Sequence, residues 1–151
     1  MKVSAGLLLF RRRPEGLEVF LVHPGGPFWA GKDEGAWSIP KGEYESHEDP
    51  FETAKREFQE ETGSVAVGQF IPLQDRRQPS GKVISAWAFE GDCDAEATTS
   101  NTFSIEWPPR SGQIQQFQEA DRAAWFTPKV AKEKILKGQR TFIDEIEQLL
   151  G

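Results

Sequence analysis

The rest of the chain is best interpreted from residues 42–64, GEYESHEDPFETAKREFQEETGS. This stretch joins a loop that opens with glycine to the best-marked helix in the chain. Asp49 is a good N-cap, Pro50 suits the first helical position, and Glu52 completes a capping-box spacing. Gly63 stands where a left-handed C-terminal cap is expected. The pattern therefore predicts a helix that begins at Pro50 and ends just before Gly63.

One face of this predicted helix is acidic. Glu57, Glu60 and Glu61 fall within about 100° of arc at 3.6 residues per turn, and like charges at the i, i+4 spacing of Glu57 and Glu61 cost a helix about 0.2–0.5 kcal/mol. One interpretation is a solvated charged face, supported by a favourable Glu52–Arg56 pair. The other is a site for a hard cation such as Mg²⁺, which takes oxygen ligands and shares its shell with waters and substrate phosphates.

The spacing of the fixed residues favours the metal site. Gly42 is followed after five residues by Glu48 and, after seven more, by the run Arg56-Glu57-Phe58-Gln59-Glu60-Glu61-Thr62-Gly63. This pattern resembles the signature box of the Nudix hydrolase family and meets every fixed polar and glycine position of that box. Ser64 departs from it, because the family prefers an aliphatic residue there. The resemblance is tight over residues 36–63 and looser elsewhere.

The resemblance implies an α/β fold, a Nudix-type α/β/α sandwich with a mixed, curved sheet between helices. It also implies a Mg²⁺-dependent hydrolase, with Mn²⁺ as a possible substitute, that cleaves phosphoanhydride bonds in nucleoside diphosphate-linked compounds. Residues 4–12 and the Glu119–Trp125 separation are most similar to the diadenosine tetraphosphate hydrolase branch, which indicates dinucleoside polyphosphates as substrates. The alternatives are a nucleoside triphosphate pyrophosphatase that clears modified nucleotides and a non-catalytic nucleotide-sensing domain.

The resemblance and the chemistry of metal-assisted hydrolysis assign roles within the box. Glu57, Glu60 and Glu61 are expected to hold the metal, and Glu57 is also the candidate general base. Arg56 is expected to orient these carboxylates through a bidentate pair. Glu48 is expected farther out, as an outer metal ligand that stabilises the loop.

Further contacts are expected from residues around the box. By the resemblance, the backbone carbonyl of Lys41 is a metal ligand, and its side chain lies near the substrate phosphates beside Gly42. Trp29, on a loop rich in glycine and proline, either packs under that loop or stacks on a purine base. One more carboxylate is expected from a late loop, with Glu119 as the first choice and Glu106 as the second. Each of these two is otherwise an exposed strand-end charge.

The remaining segments predict strands and helices around the box. Apolar runs and turn residues predict strands at 3–10, 17–22, 37–42, 65–73, 83–89, 101–107 and at the segment ending at 126, with later helices opened by Thr127 and Thr141. Residues 74–81 are polar and residues 113–118 are uncharged and rich in amides, so neither segment predicts a strand. His23 follows a strand and is expected to form structural hydrogen bonds.

Composition limits the partners and the location. At 151 residues a single domain over residues 1–151 is the default. The net charge of −6 opposes binding to duplex nucleic acid but allows a nucleotide or dinucleotide polyphosphate, because bound metal reverses the local charge. No apolar run approaches the ~20 residues of a membrane span, no signal peptide precedes the first strand, and Cys93 is the only cysteine. A cytoplasmic protein is therefore expected, and the oligomeric state is left open.

Overall fold

The computed structural model describes residues 2–150, and its central feature is a mixed β-sheet. The strands are β1 (Val3–Arg13), β2 (Gly16–Pro24), β3 (Lys41–Glu43), β4 (Phe70–Pro72), β5 (Arg76–Arg77), β6 (Val83–Glu90), β7 (Thr102–Glu106), β8 (Ile114–Gln118) and β9 (Ala120–Phe126). The main sheet has the order β4-β6-β1-β2-β9, with β3 paired to the start of β1 and β5 to β6. Within it β1 and β6 are parallel, and the other pairs are antiparallel.

Helices cover both faces of this sheet. They are α1 (Pro50–Thr62), α2 (Pro128–Lys134) and α3 (Arg140–Leu150). Alternate residues of β1 face opposite layers, so that Leu7 and Leu9 pack in one cluster with Phe58 of α1, while Leu8 and Phe10 pack in a second cluster with α2 and α3. The predicted α/β/α sandwich with a mixed sheet is therefore confirmed. No helix within residues 2–150 combines the length and apolar character needed to cross a membrane.

Helix α1 begins and ends where the sequence predicts. The Asp49 side chain accepts a hydrogen bond from the backbone N–H of Glu52 at 2.9 Å. At the other end Gly63 is left-handed, with φ of 79°, and its N–H donates to the carbonyl of Gln59 at 2.8 Å. Both caps are local in sequence, which explains why the sequence alone was sufficient to predict them.

Several strand predictions differ from the structure. All but the first of residues 113–118 form β8, which pairs with β7 as a separate two-stranded hairpin. Backbone hydrogen bonds hold this exposed hairpin, so the polarity of its side chains gave no signal. Residues 65–73 contribute only the short strand β4, after Gly68 adopts a φ of 134°. In the 37–42 segment the strand itself is β3, while Trp37 and Ser38 form isolated bridges.

Two later segments also differ from the sequence prediction. The polar segment 74–81 contains β5, where Arg76 and Arg77 pair with β6. Helix α3 begins at Arg140, so Thr141 lies inside it instead of capping it, because a 3-10 turn over Lys137–Gln139 leads directly into the helix. These differences lie away from the α1 loop and helix.

Candidate active site

A cavity of about 350 Å³ opens where the end of β2, the start of β3 and helix α1 meet. Its walls are formed by Val22, Pro24, Trp29, Ser38, Lys41, Glu57, Glu61, Glu119 and Leu136. The structure thus brings together, around one space, residues that lie far apart in the sequence and that the sequence singled out separately.

The Glu57 carboxylate lies directly against the backbone of Gly42. A Cβ atom placed on residue 42 would lie 2.1 Å from both Cδ and Oε1 of Glu57, far inside any real carbon contact. The missing side chain of Gly42 therefore leaves the space that the carboxylate occupies, and any larger residue there would displace the carboxylate.

Glu61 is held by the strand that precedes the helix. The backbone N–H of Lys41 donates to Glu61 Oε2 at 3.2 Å, and Lys41 itself is fixed opposite Gly6 in the β1–β3 pairing. The Lys41 side chain is largely buried, and burial, followed by the nearby Lys82, lowers the pKa of its ammonium group. Pairing with the central strand β1 thereby fixes the positions of both Lys41 and Glu61 in the cavity wall.

Two consecutive backbone hydrogen bonds, called here the relay through Asn101, fix Glu119 at the cavity. Its N–H donates to the carbonyl of Asn101 at 2.8 Å, and the N–H of Asn101 donates to the carbonyl of Glu60 at 2.8 Å. The carbonyl of Glu119 accepts from the N–H of Gly25 at 3.0 Å. These bonds tie the late carboxylate to helix α1 on one side and to the loop that carries Trp29 on the other.

The carboxylates at the cavity are buried and crowded, and their pKa values reflect this. Burial, followed by repulsion from Glu60, raises the pKa of Glu57 to about 7. Burial, followed by repulsion from Glu57, raises the pKa of Glu61 well above its ordinary range. The pKa of Glu119 is raised by burial and then by Glu60. A nearby cation would relieve this crowding.

Arg56 bridges two carboxylates at the edge of the site. Its Nη1 lies 3.3 Å from Glu48 Oε2 and its Nε lies 3.7 Å from Glu60 Oε1. The prediction of a bidentate pair is therefore wrong, because the guanidinium divides its contacts between the loop and the helix. The expected Glu52–Arg56 pair is also absent from the ion pairs of residues 2–150, and Glu52 instead contacts Lys55 at 3.0 Å.

Glu48 organises the loop before the helix. Its Oε1 accepts from the backbone N–H of Glu45 at 2.8 Å, while Oε2 faces Arg56. Both hydrogen bonds lower the pKa of Glu48, and the one from the Glu45 backbone has the larger effect. Its position agrees with the predicted loop-stabilising role, and it does not line the cavity.

Trp29 and Glu106 lie in different settings. Trp29 is half-buried in the cavity wall, and Lys32 Nζ lies 5.4 Å from its ring centroid. Glu106 is the last residue of β7, and its carboxylate accepts hydrogen bonds from the backbone N–H groups of Arg110 and Gly112 in the turn that follows, each at 3.1 Å. The structure thus brings Trp29 to the cavity, whereas Glu106 holds a turn outside it.

Four wall residues were not among the predicted site residues, namely Val22, Pro24, Ser38 and Leu136. Leu136 lies between α2 and the 3-10 turn, and Ser38 precedes β3. Ser38 is fixed by Gln139, a fully buried residue whose amide donates to Ser38 Oγ at 3.0 Å and accepts from the Ile39 N–H at 3.0 Å. Gln139 stands among Lys137, Gly138 and Arg140, so its neighbours in sequence give no signal of burial, and its partner lies 101 residues away.

The oxygen ligands of the cavity fit a hard divalent cation. Glu57, Glu61 and Glu119 supply carboxylate oxygens, and the space at Gly42 lets one of them lie against the loop backbone. Across residues 2–150, no three His, Cys, Asp or Glu side chains already surround one common metal position. Mg²⁺ does not require that arrangement, because it usually keeps several waters and binds through one or two carboxylates together with substrate phosphates.

Without divalent cations, we expect the free energy of unfolding to fall as pH rises from about 5 to about 8. The pKa of Glu57 is about 7 in the folded chain against an ordinary 4.5, so between these values the folded chain binds more protons than the unfolded one. Thermal melts across this range should show the fall, and Glu57→Gln should make it shallower, while Glu61 and Glu119, whose pKa values are also raised, keep part of it. Mg²⁺ competes with the same protons, so it should raise Tm more at pH 8 than at pH 5.5. An unchanged slope in the variant would contradict the role of Glu57.

A family model described as NUDIX domain matches residues 1–146. The chain belongs to the NUDIX family. Over 63 residues this NUDIX domain is 42% identical to a Mycobacterium tuberculosis protein named for an inferred 8-oxo-dGTP diphosphatase activity. That match covers 42% of this chain and 28% of the relative, so it spans less than a third of that protein.

Two solved structures share the fold over nearly the whole chain. The Ap4A hydrolase of C. elegans, in a binary complex, is 17% identical with a TM-score of 0.65, and the match covers 99% of this chain and 98% of that one. The NUDIX domain of Shewanella oneidensis NrtR, complexed with ADP ribose, is 17% identical with a TM-score of 0.66, and the match covers 99% and 88%. At these identities the likeness establishes the fold alone.

Proposed function

We propose that this NUDIX domain is a Mg²⁺-dependent hydrolase that cleaves a phosphoanhydride bond in a nucleoside diphosphate-linked compound. The observation that carries the proposal is the common cavity of Glu57, Glu61, Glu119, Lys41 and Trp29, which combines metal ligands, a cation and an aromatic face. Mn²⁺ is expected to substitute for Mg²⁺. We also propose that the protein acts in the cytoplasm, because nucleotides of this class are the expected substrates.

Glu57 and Glu61 would hold the metal ion, with Glu119 and the carbonyl of Lys41 as additional ligands. Glu60 and Glu48 lie beside these residues, where they bind Arg56 and would act on the site from outside the cavity. A bound divalent cation would neutralise phosphate oxygens and make water more acidic. The chain's own contribution is to place these ligands and to keep competing contacts away.

Glu57 is also suited to accept the proton of the attacking water. Its carboxylate lies in the cavity wall against the loop backbone at Gly42, where a general base can reach a water in the cavity. The water oxygen forms a bond to phosphorus, the anhydride P–O bond breaks, and the proton passes to the Glu57 carboxylate. The Lys41 ammonium lies in the same cavity and would stabilise negative charge on the phosphates as a point charge.

Dinucleoside polyphosphates such as diadenosine tetraphosphate are our first candidate substrates. The cavity of about 350 Å³ is near the lower end of small-molecule sites, so it would hold one nucleoside with its phosphates and leave the other outside. Phe28, 58% exposed, adjoins Trp29 in sequence and packs edge-on against Trp107 at 5.3 Å. This aromatic surface is available for the second nucleoside. The fold shared with the C. elegans Ap4A hydrolase agrees with the choice.

A modified nucleoside triphosphate is the second candidate. The observation that favours it is the 42% identity, over 63 residues, to the M. tuberculosis protein named for 8-oxo-dGTP diphosphatase activity. A panel of diadenosine polyphosphates, 8-oxo-dGTP, ordinary NTPs, ADP-ribose and nucleotide sugars at fixed Mg²⁺ separates the two. Stabilisation by Mg²⁺ and nucleotide without turnover of any compound would instead favour a nucleotide-sensing domain.

Trp29→Ala is expected to raise KM by about 10-fold to 100-fold with little change in kcat. Loss of base stacking costs ~1–3 kcal/mol per base, and the Trp29 side chain, which lines the cavity, carries no group for the phosphate chemistry. Steady-state kinetics on the best substrate of the panel would measure this. Trp29→Phe, which keeps an aromatic face, should recover most of the affinity, and an equal loss in both variants would contradict stacking.

A further inference from the structure

His23 is a fully buried histidine that the proposed chemistry does not use. It lies near the end of β2 with 0% exposure. Its Nδ1 is 2.9 Å from Asp121 Oδ1 and its Nε2 is 2.6 Å from the backbone carbonyl oxygen of Lys32. Both ring nitrogens therefore lie within hydrogen-bond distance of an oxygen, so the buried imidazole is held at each of its two polar atoms. The expected structural role for His23 is therefore confirmed, and its two partners define that role.

These two partners belong to two different segments, each of which contributes a residue to the cavity wall. Lys32 lies in the segment of residues 25–35, defined here as the Trp29 loop, which carries the aromatic wall. Asp121 follows Glu119 by two residues at the start of β9. One buried imidazole therefore connects the loop that presents Trp29 with the strand end that presents Glu119.

The Trp29 loop has no helix or strand of its own, so its shape depends on such anchors. Asp33 accepts a hydrogen bond from Trp37 Nε1 at 2.8 Å and forms an ion pair with Lys134 of α2. At the other end, Gly25 donates to the Glu119 carbonyl. Next to Asp33, the Lys32 carbonyl binds His23, which is fully buried, whereas Asp33 and Lys134 are partly exposed.

We propose that His23 is a positioning residue that holds Trp29 and Glu119 at a fixed separation and thereby sets the affinity of the cavity for nucleotides. It acts through the Lys32 carbonyl and the Asp121 carboxylate and does not touch the substrate. The inference rests on the proposed function, because it assumes that a nucleotide occupies the cavity beside Trp29. Held by His23 in this way, the Trp29 loop is a fixed wall of the cavity and does not move as a lid.

A double-mutant cycle with Mg²⁺ and ADP as the probe tests this coupling. ADP contains the nucleoside diphosphate shared by the candidate adenine nucleotides, and its binding does not depend on turnover. His23→Phe removes both hydrogen bonds while keeping a ring against Trp37, whose ring centroid lies 5.3 Å away. Calorimetry should show ADP binding weakened about 10-fold in otherwise wild-type protein, but less than about twofold in a Trp29→Ala background. Equal losses in both backgrounds would overturn the proposal.

Asp121 supplies a second test should His23→Phe fail to fold. Its side chain is 36% exposed, so Asp121→Ala should be tolerated and should weaken ADP binding as His23→Phe does. Asp121→Asn keeps an oxygen that accepts from Nδ1–H, and it should retain affinity within about threefold. The same affinity loss in the alanine and asparagine variants would overturn the hydrogen-bond argument.

A control and a ligand-free readout separate this inference from the proposed function. Glu145→Gln weakens the partly buried Arg76–Glu145 pair, at 2.8 Å beside α3, and should lower Tm without changing ADP affinity. The Trp29 indole N–H resonance, assigned by its loss in Trp29→Ala, should shift in His23→Phe and Asp121→Ala but not in Glu145→Gln. If ADP binds none of the proteins, the proposed function fails, and the indole resonance alone decides the inference. An unshifted resonance overturns it.

Discussion

Glu61→Gln is expected to lower Mg²⁺-dependent turnover by roughly 10³-fold while the fold stays intact. The substitution removes one negative charge from the proposed metal ligands, and loss of a preorganised charge at a reacting phosphate costs on this order. The amide oxygen can still accept the Lys41 N–H that Glu61 Oε2 accepts now. Tm without metal should therefore be unchanged or higher, because the variant also loses the repulsion between Glu57 and Glu61.

Glu52→Gln is the matched control for this experiment. It makes the same chemical change on the same helix, but Glu52 is exposed and contacts only Lys55 among the ion pairs of residues 2–150. Its turnover should stay within about twofold of the wild type. Steady-state kinetics and melts with and without Mg²⁺ would measure both variants. Full activity in Glu61→Gln would refute the metal assignment.

Gly42→Ala is expected to lower kcat by about 10²-fold. The added methyl would occupy the space of the Glu57 carboxylate, since a Cβ there lies 2.1 Å from its Oε1. The side chain has to move by more than an ångström, and a displacement of that size at a reacting group costs about two orders of magnitude. Because the carboxylate ends a flexible side chain, the fold should absorb the change, and circular dichroism should look like that of the wild type.

Gly91→Ala provides the comparison. The nearest atom to its added Cβ is Leu9 Cδ1 at 3.2 Å, the end of a side chain that can shift, and kcat should be unaffected. A Glu57→Ala background gives the sharper test. If Gly42 acts through Glu57, then adding Gly42→Ala to Glu57→Ala should cost nothing further, whereas an additional large loss would indicate a second role for the loop.

Local signals in the sequence were sufficient for the helix and its acidic face. Both caps of α1 lie within a few residues of its ends, and Glu57 and Glu61 follow from helical spacing. The burial of β1 on both sides likewise followed from an unbroken apolar run. In each case the residues that determine the structure are close together in the chain.

The choice between Glu119 and Glu106 could not follow from such signals. Both are acidic residues at the ends of short segments, and their roles differ because of distant partners. Glu119 is fixed by the relay through Asn101, whereas Glu106 is occupied by the N–H groups of its own turn. The strand β8 escaped prediction for a related reason, since it depends on pairing with β7 and has no apolar face of its own.

The relay through Asn101 also has a consequence for how this chain can vary. Asn101 is hydrogen-bonded both to Glu60 of helix α1 and to Glu119, so the seventeen residues between Asn101 and Glu119 form a segment whose two ends meet beside that helix. Doubling the length of a closed loop costs only about 0.6 kcal/mol of entropy. Insertions and deletions between residues 102 and 118 would therefore change the outer surface near the cavity while Glu119 keeps its place. Changes in this segment would thus alter which substrates bind while the proposed catalytic residues keep their positions.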